Sequence, residues 1–199
     1  MSLFSVALVL ILIMDPIGNI NSYLSLVKEI PPKRQRWIVI REMLFALIAM
    51  IIFNYLGEFI FDFLGLSETT VRLSSGVILF LIAIKILFTA PDSMRANLPV
   101  GEPFIFPLAI PLIAGPALLA TIMLYAHIEP YQSVMLIAIL IAWLVAAVVI
   151  YFSSTIKRFL GESGLMAFER LIGMVLVLIA IQRFLEGILL LWATHPNPT

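Results

Sequence analysis

The chain has 199 residues, of which 62% are hydrophobic and 12% charged, with a formal net charge of zero. So much apolar side chain excludes an ordinary water-soluble domain, and the solvent for most of the chain is lipid. Cysteine is absent, which excludes disulfides and thiolate metal sites.

Six apolar stretches reach the ~20 residues that a helix needs to cross about 30 Å of hydrocarbon. They lie at 3–27, 37–56, 70–88, 104–126, 133–154 and 168–192. Their apolar runs are continuous rather than alternating, which excludes a transmembrane β-barrel. The first stretch resembles the apolar part of a secretory signal. No Lys or Arg precedes it, however, and hydrophobicity resumes beyond Asn21, so it reads as a retained span.

Midway along that span stands Asp15-Pro16-Ile17-Gly18-Asn19. Pro16 has no N–H to donate and crowds the preceding turn, and Gly18 lacks a side chain at nearly the same depth, so the helix is predicted to kink or unwind around residues 15–19. Asp15 is a carboxylate near mid-membrane, where a charge costs about 2.5–3.5 kcal/mol and usually faces an interior cavity. Asn19, Ser22 and Ser25 follow on the same face if helical geometry persists. Together they suit a cation, an amino group or a proton. Asp15 also reads as a helix cap, because Asp directly before Pro is a standard start signal. The two roles can coexist, since a capped half-helix turns its positive end towards a ligand.

A basic loop follows, with Lys28, Lys33, Arg34, Arg36 and Arg41, and Arg41-Glu42 reads as a pair of boundary charges. The second span leads into an acidic loop, 57–69. The third carries Ser74, Ser75 and Gly76, small residues suited to close helix packing, and ends near Lys85. A linker with Pro91, Pro99 and Pro103 joins the halves.

The fourth span is interrupted more heavily than the first, by Pro107, Pro111, Gly115 and Pro116, and its polar side chains are Thr121 and Tyr125. In a bilayer the backbone groups freed by such breakers must face protein or a wet cavity, although a simple proline kink is the plainer alternative. His127 is an isolated loop histidine and His195 a tail residue; neither makes a metal motif. Lys157 and Arg158 follow the fifth span. In the last span Glu169-Arg170 reads as boundary charge, and Gln182, Arg183 and Glu186 form a polar cluster in which Arg183 is spaced to pair with Glu186 or to reach towards Asp15.

Lys and Arg gather in alternate loops, which places those loops in the cytoplasm and both termini in the periplasm. An offset of 97 residues lays Leu81-Ile82-Ala83-Ile84 on Leu178-Ile179-Ala180-Ile181, Gly76 on Gly173 and Gly18 on Gly115. Each half then crosses three times, and the second is inverted relative to the first. The expected fold is all-α and polytopic, six transmembrane helices in a 3+3 inverted repeat with the first and fourth helices broken. Its parts are 1–90, a cytoplasmic linker at 91–103, 104–193 and a disordered tail at 194–199.

Asp15-Pro16-Ile17-Gly18-Asn19, together with the stretch from Phe106 through Pro107 and Pro111 to Gly115-Pro116, resembles the MarC family of bacterial multi-pass inner-membrane proteins. The resemblance covers essentially the whole chain. It implies membership of a three-plus-three helix superfamily grouped with amino-acid and ion exporters, and it brings no binding or catalytic residues with it.

Paired broken segments at matching places in two halves point to a midplane binding site. The expected function is a secondary transporter or exporter of a small polar or ionic solute. Asp15, Gly18, Asn19, Ser22, Gly115 and Thr121 are its candidate ligands, and Pro16, Pro107, Pro111 and Pro116 its helix breakers. No phosphate-binding Gly-rich loop is present, so coupling to ATP is not expected, nor is any cofactor or metal. A lone intramembrane carboxylate without a nearby base argues against an enzyme, and the basic loop is accounted for by topology rather than nucleic acid. The expected partners are the bilayer and the solute, and a homo-oligomer is compatible with the sequence. The alternative is a structural or regulatory membrane protein that transports nothing.

Overall fold

A computed structural model describes residues 2–65, 67–88, 113–129 and 131–194. Pro107, Pro111, the linker 91–103 and tail residues 195–199 lie outside the described residues.

Every element described is a helix: α1 (Leu3–Met14), α2 (Asn19–Val27), α3 (Pro32–Leu64), α4 (Glu68–Phe88), α5 (Pro116–Ile128), α6 (Gln132–Tyr151) and α7 (Ser153–Thr194). Four helices are long and apolar enough to cross a membrane, and α1 with α2, bent by 48°, makes a fifth span if counted as one. At 13 residues α5 is about 20 Å long and too short to cross alone. The rest of its sequence segment falls outside the described residues.

Three boundaries differ from those read in the sequence, one being the acidic stretch read as a loop at 57–69, which is helical as far as Leu64 in α3. Helix α3 begins at Pro32 rather than near residue 37, because proline suits the first helical position and Pro31 O receives the Arg34 and Gln35 N–H groups. The connection expected between residues 154 and 168 is helical. A single residue, Phe152, separates α6 from α7, and α7 is interrupted only at Gly161 (φ 67°, ψ 179°), a conformation that needs glycine.

Helices α1, α6, α3 and α5 touch in a closed ring, α1 on α6, α6 on α3, α3 on α5 and α5 on α1. Helices α3 and α6 run antiparallel. Asn54 Nδ2 donates to Gln132 Oε1 at 2.9 Å, Trp143 Nε1 to Met43 O at 2.7 Å, and the Arg36 guanidinium stands 5.7 Å from the Tyr151 ring. Ala138, Ala142 and Ala146 form a buried stripe on α6, letting its neighbours approach closely.

Helices α4 and α7 pair on the flank, α4 against α5 and α7 against α1 and α2. Gly76, Gly173 and Gly187 make that pairing tight: a Cβ on Gly76 would lie 2.7 Å from Phe184 N. Large apolar side chains such as Phe59, Phe63, Leu81, Phe159, Leu178 and Trp192 stay exposed. Such a surface is what lipid, rather than water, would cover.

Candidate functional site

The first apolar segment stops being a helix at Asp15, the one non-glycine among the described residues with positive φ (φ 41°, ψ 60°). Aspartate is among the few residues that tolerate this left-handed conformation. Its carboxylate folds back over the break: Oδ1 accepts the Gly18 N–H at 3.1 Å. Oδ2 lies against Gly18 so closely that a Cβ there would be 2.2 Å away. The Asp15 carboxylate thus fills the space that a side chain at residue 18 would take.

Asn19 does the complementary work. Its Nδ2 donates to Met14 O at 2.8 Å, and its backbone N–H bonds Asp15 O at 3.1 Å. Donors and acceptors freed by the break are thus largely met within it, as the low dielectric of a bilayer demands. Asp15 is only 8% exposed, and Pro16 and Ser22 are also buried. The buried Asn21 Oδ1 finds no hydrogen-bond partner among the described residues.

In the second half, Gly115 is the extended N-cap of α5 (φ −69°, ψ 158°), with Pro116 at the first helical position and no side-chain cap. Thr121 is buried and its hydroxyl bonds back to Ala117 O at 2.9 Å within its own helix. Helix α1 touches α5, which places the two groups of residues on adjoining elements.

Two acidic residues taken for boundary charges differ: Glu42 belongs to the interior, whereas Glu169 is half-buried. Glu169 of α7 lies within electrostatic reach of Asp15. Glu42 is fully buried, its Oε1 receiving Arg41 Nε and Nη2, each at 2.8 Å, while Oε2 has no hydrogen-bond partner among the described residues. The missed signal was helical spacing. Once α3 starts at Pro32, Glu42 falls three turns inside and on the stripe of buried Ile38, Val39, Met43, Ala46 and Met50. Arg183 turns to Glu186 at 3.0 Å and stands 5.4 Å from the Tyr125 ring, with Arg72 3.9 Å from the same carboxylate. Its reach goes there and not to Asp15.

A cleft of about 230 Å³ opens between α4 and α5, lined by Thr70, Val71, Ser74, Ile78, Ala120, Met123 and Leu124. It is mostly apolar and lies apart from the break.

The family model described as MarC family integral membrane protein matches residues 1–192. The chain is 50% identical over 188 residues to the UPF0056 inner membrane protein YhgN of Escherichia coli (strain K12), covering 94% of this chain and 95% of that protein. It is 45% identical to a UPF0056 membrane protein of Buchnera aphidicola subsp. Baizongia pistaciae (strain Bp), covering 94% and 96%. A UPF0056 membrane protein of Chlamydia muridarum (strain MoPn / Nigg) is 32% identical, covering 94% and 93%. No solved structure matches. With a family match over nearly its full length and an apolar helical exterior, the chain is an integral membrane protein of the MarC family.

Proposed function

We propose that the protein is a secondary transporter of a small polar or ionic solute, built as a 3+3 inverted repeat in the bacterial inner membrane. The observation that carries this reading is the bent, unwound element at residues 15–18, inside an apolar segment and lined by a buried carboxylate and amides. Broken spans of this kind are where transporters place their binding sites.

The pattern of contacts supports the inverted repeat. A shift of 97 residues carries Gly76 onto Gly173 and, in reverse, Phe184 onto Leu87. Gly76 packs on Phe184 and Gly173 on Leu87. Contacts that map onto each other this way are what a two-fold axis between equivalent units produces. Relatives named inner membrane proteins support the location, and the basic loops support periplasmic termini.

In this reading the halves rock around a site between the first and fourth helices. Asp15 holds the break open and presents charge, while Asn19 and Ser22 orient the solute. The test is flux of a broad set of metabolites and ions in proteoliposomes. Native protein moves at least one of them, and Asp15→Asn lowers that flux at least about tenfold, the effect of losing a charge-assisted hydrogen bond. No flux of any solute would favour a structural or regulatory protein instead.

A further inference from the structure

The buried carboxylate with an open coordination position is Glu42, whereas Asp15 is folded onto Gly18. Two guanidinium donors converge on Glu42 Oε1, each at 2.8 Å, in place of the parallel fork that would engage both oxygens. Oε2 is left without a partner among the described residues, on a side chain that is 0% exposed. A carboxylate oxygen left unmet in apolar surroundings is costly and calls for a positively charged or hydrogen-bonding group.

Among the described residues, neighbouring groups do not supply one. Ile38, Val39, Met43 and Ala46 share its face of α3, and the Trp143 indole N–H of α6 is committed to Met43 O. Arg41 is not wholly dependent on Glu42, because its guanidinium also stands 4.9 Å from the Trp37 ring. It can therefore share the carboxylate with a second cation.

Depth agrees with such a role. Glu42 lies inside the candidate Lys33–Gly57 span, about 14 Å from its first residue. The 28–31 turn joins α2 to α3, tied by Gln35 Nε2 to Val27 O and Ile30 O, each at 2.8 Å. Gly18 precedes that turn by nearly as many residues as Glu42 follows it.

We propose that Glu42 Oε2 is a binding position for a monovalent cation, either a sodium ion or the ammonium head of the solute. The proposal rests on the transporter reading and names the charge that its site selects. A single carboxylate shared with Arg41 offers too little negative charge for a divalent ion.

The experiment follows thermal unfolding of the full-length purified protein in detergent, at fixed pH and ionic strength. Sodium, methylammonium and bulky N-methylglucamine chlorides are the arms, because a ligand of the folded state raises the midpoint saturably. Sodium or methylammonium should stabilise native protein above N-methylglucamine, and which of them does so tells coupling ion from solute head. Glu42→Gln should raise the half-saturating concentration at least about tenfold, and Glu162→Gln, at an exposed carboxylate, should leave it unchanged. Should Glu42→Gln fail to fold, Arg41→Lys decides, because weakening the hold on Oε1 should tighten cation binding several-fold. The proposal is overturned by equal midpoints in all three salts, by a native response retained in Glu42→Gln, by an equal loss of the response in Glu162→Gln, or by unaltered binding in Arg41→Lys. Flux is not read here, so a cation response without transport would sink the transporter reading and leave the Glu42 site standing.

Discussion

At the scale of single residues, the break at 15–18 is one device made of three side-chain choices. Asp15 adopts the left-handed conformation and receives the Gly18 N–H, Gly18 leaves room for its carboxylate, and Asn19 meets the Met14 carbonyl. Gly18→Ala tests this directly, since the new Cβ would meet Asp15 Oδ2 at 2.2 Å. The carboxylate must swing away and surrender its bond, so the substitution should destabilise the protein by about 1–3 kcal/mol. A lowered thermal midpoint of the purified variant in detergent is the readout. Asp15, Pro16 and Gly18 stand out in the sequence because breakers and charges are conspicuous against apolar residues. Glu42 does not, because its burial depends on where α3 starts and which face meets α6.

At the scale of elements, glycine seams set how closely helices approach, and the α4–α7 pair supplies a graded test. A Cβ on Gly76 would meet the Phe184 backbone N at 2.7 Å, whereas one on Gly173 would meet the Leu87 side chain, with Cγ at 2.9 Å. Backbone cannot retreat without parting the helices, while a leucine tip can turn aside. Gly76→Ala should therefore cost more than Gly173→Ala, by about 1 kcal/mol or more, although the two positions correspond in the repeat. Thermal midpoints of the two variants, compared side by side, measure the difference. The correspondence of Gly76 with Gly173 is legible in the sequence. What each one touches is not, because that depends on the crossing of two helices far apart along the chain. The helical run between Phe152 and Gly161 escaped the sequence reading for a related reason: a short polar stretch between two spans looks like a loop until its packing shows otherwise.

At the scale of the whole molecule, topology follows from charge. Three crossings in each half would leave both termini on the periplasmic side. The chain has no cysteine, so a single introduced thiol gives an unambiguous label. An impermeant maleimide added to intact spheroplasts should modify both Ser2→Cys and Ala193→Cys; protection of one alone would refute the even crossing number, and protection of both would refute the periplasmic termini. What the sequence by itself determined is the solvent, the helical class, the family and the place of the first break, all of which depend on local composition and on residues a few positions apart. Only the tertiary structure decided the ring of α1, α6, α3 and α5, the turn of Arg183 towards Glu186, and the burial of Glu42 with one oxygen open. Those outcomes depend on which helix faces meet, and in a chain apolar on nearly every face, periodicity carries too little contrast to choose among them.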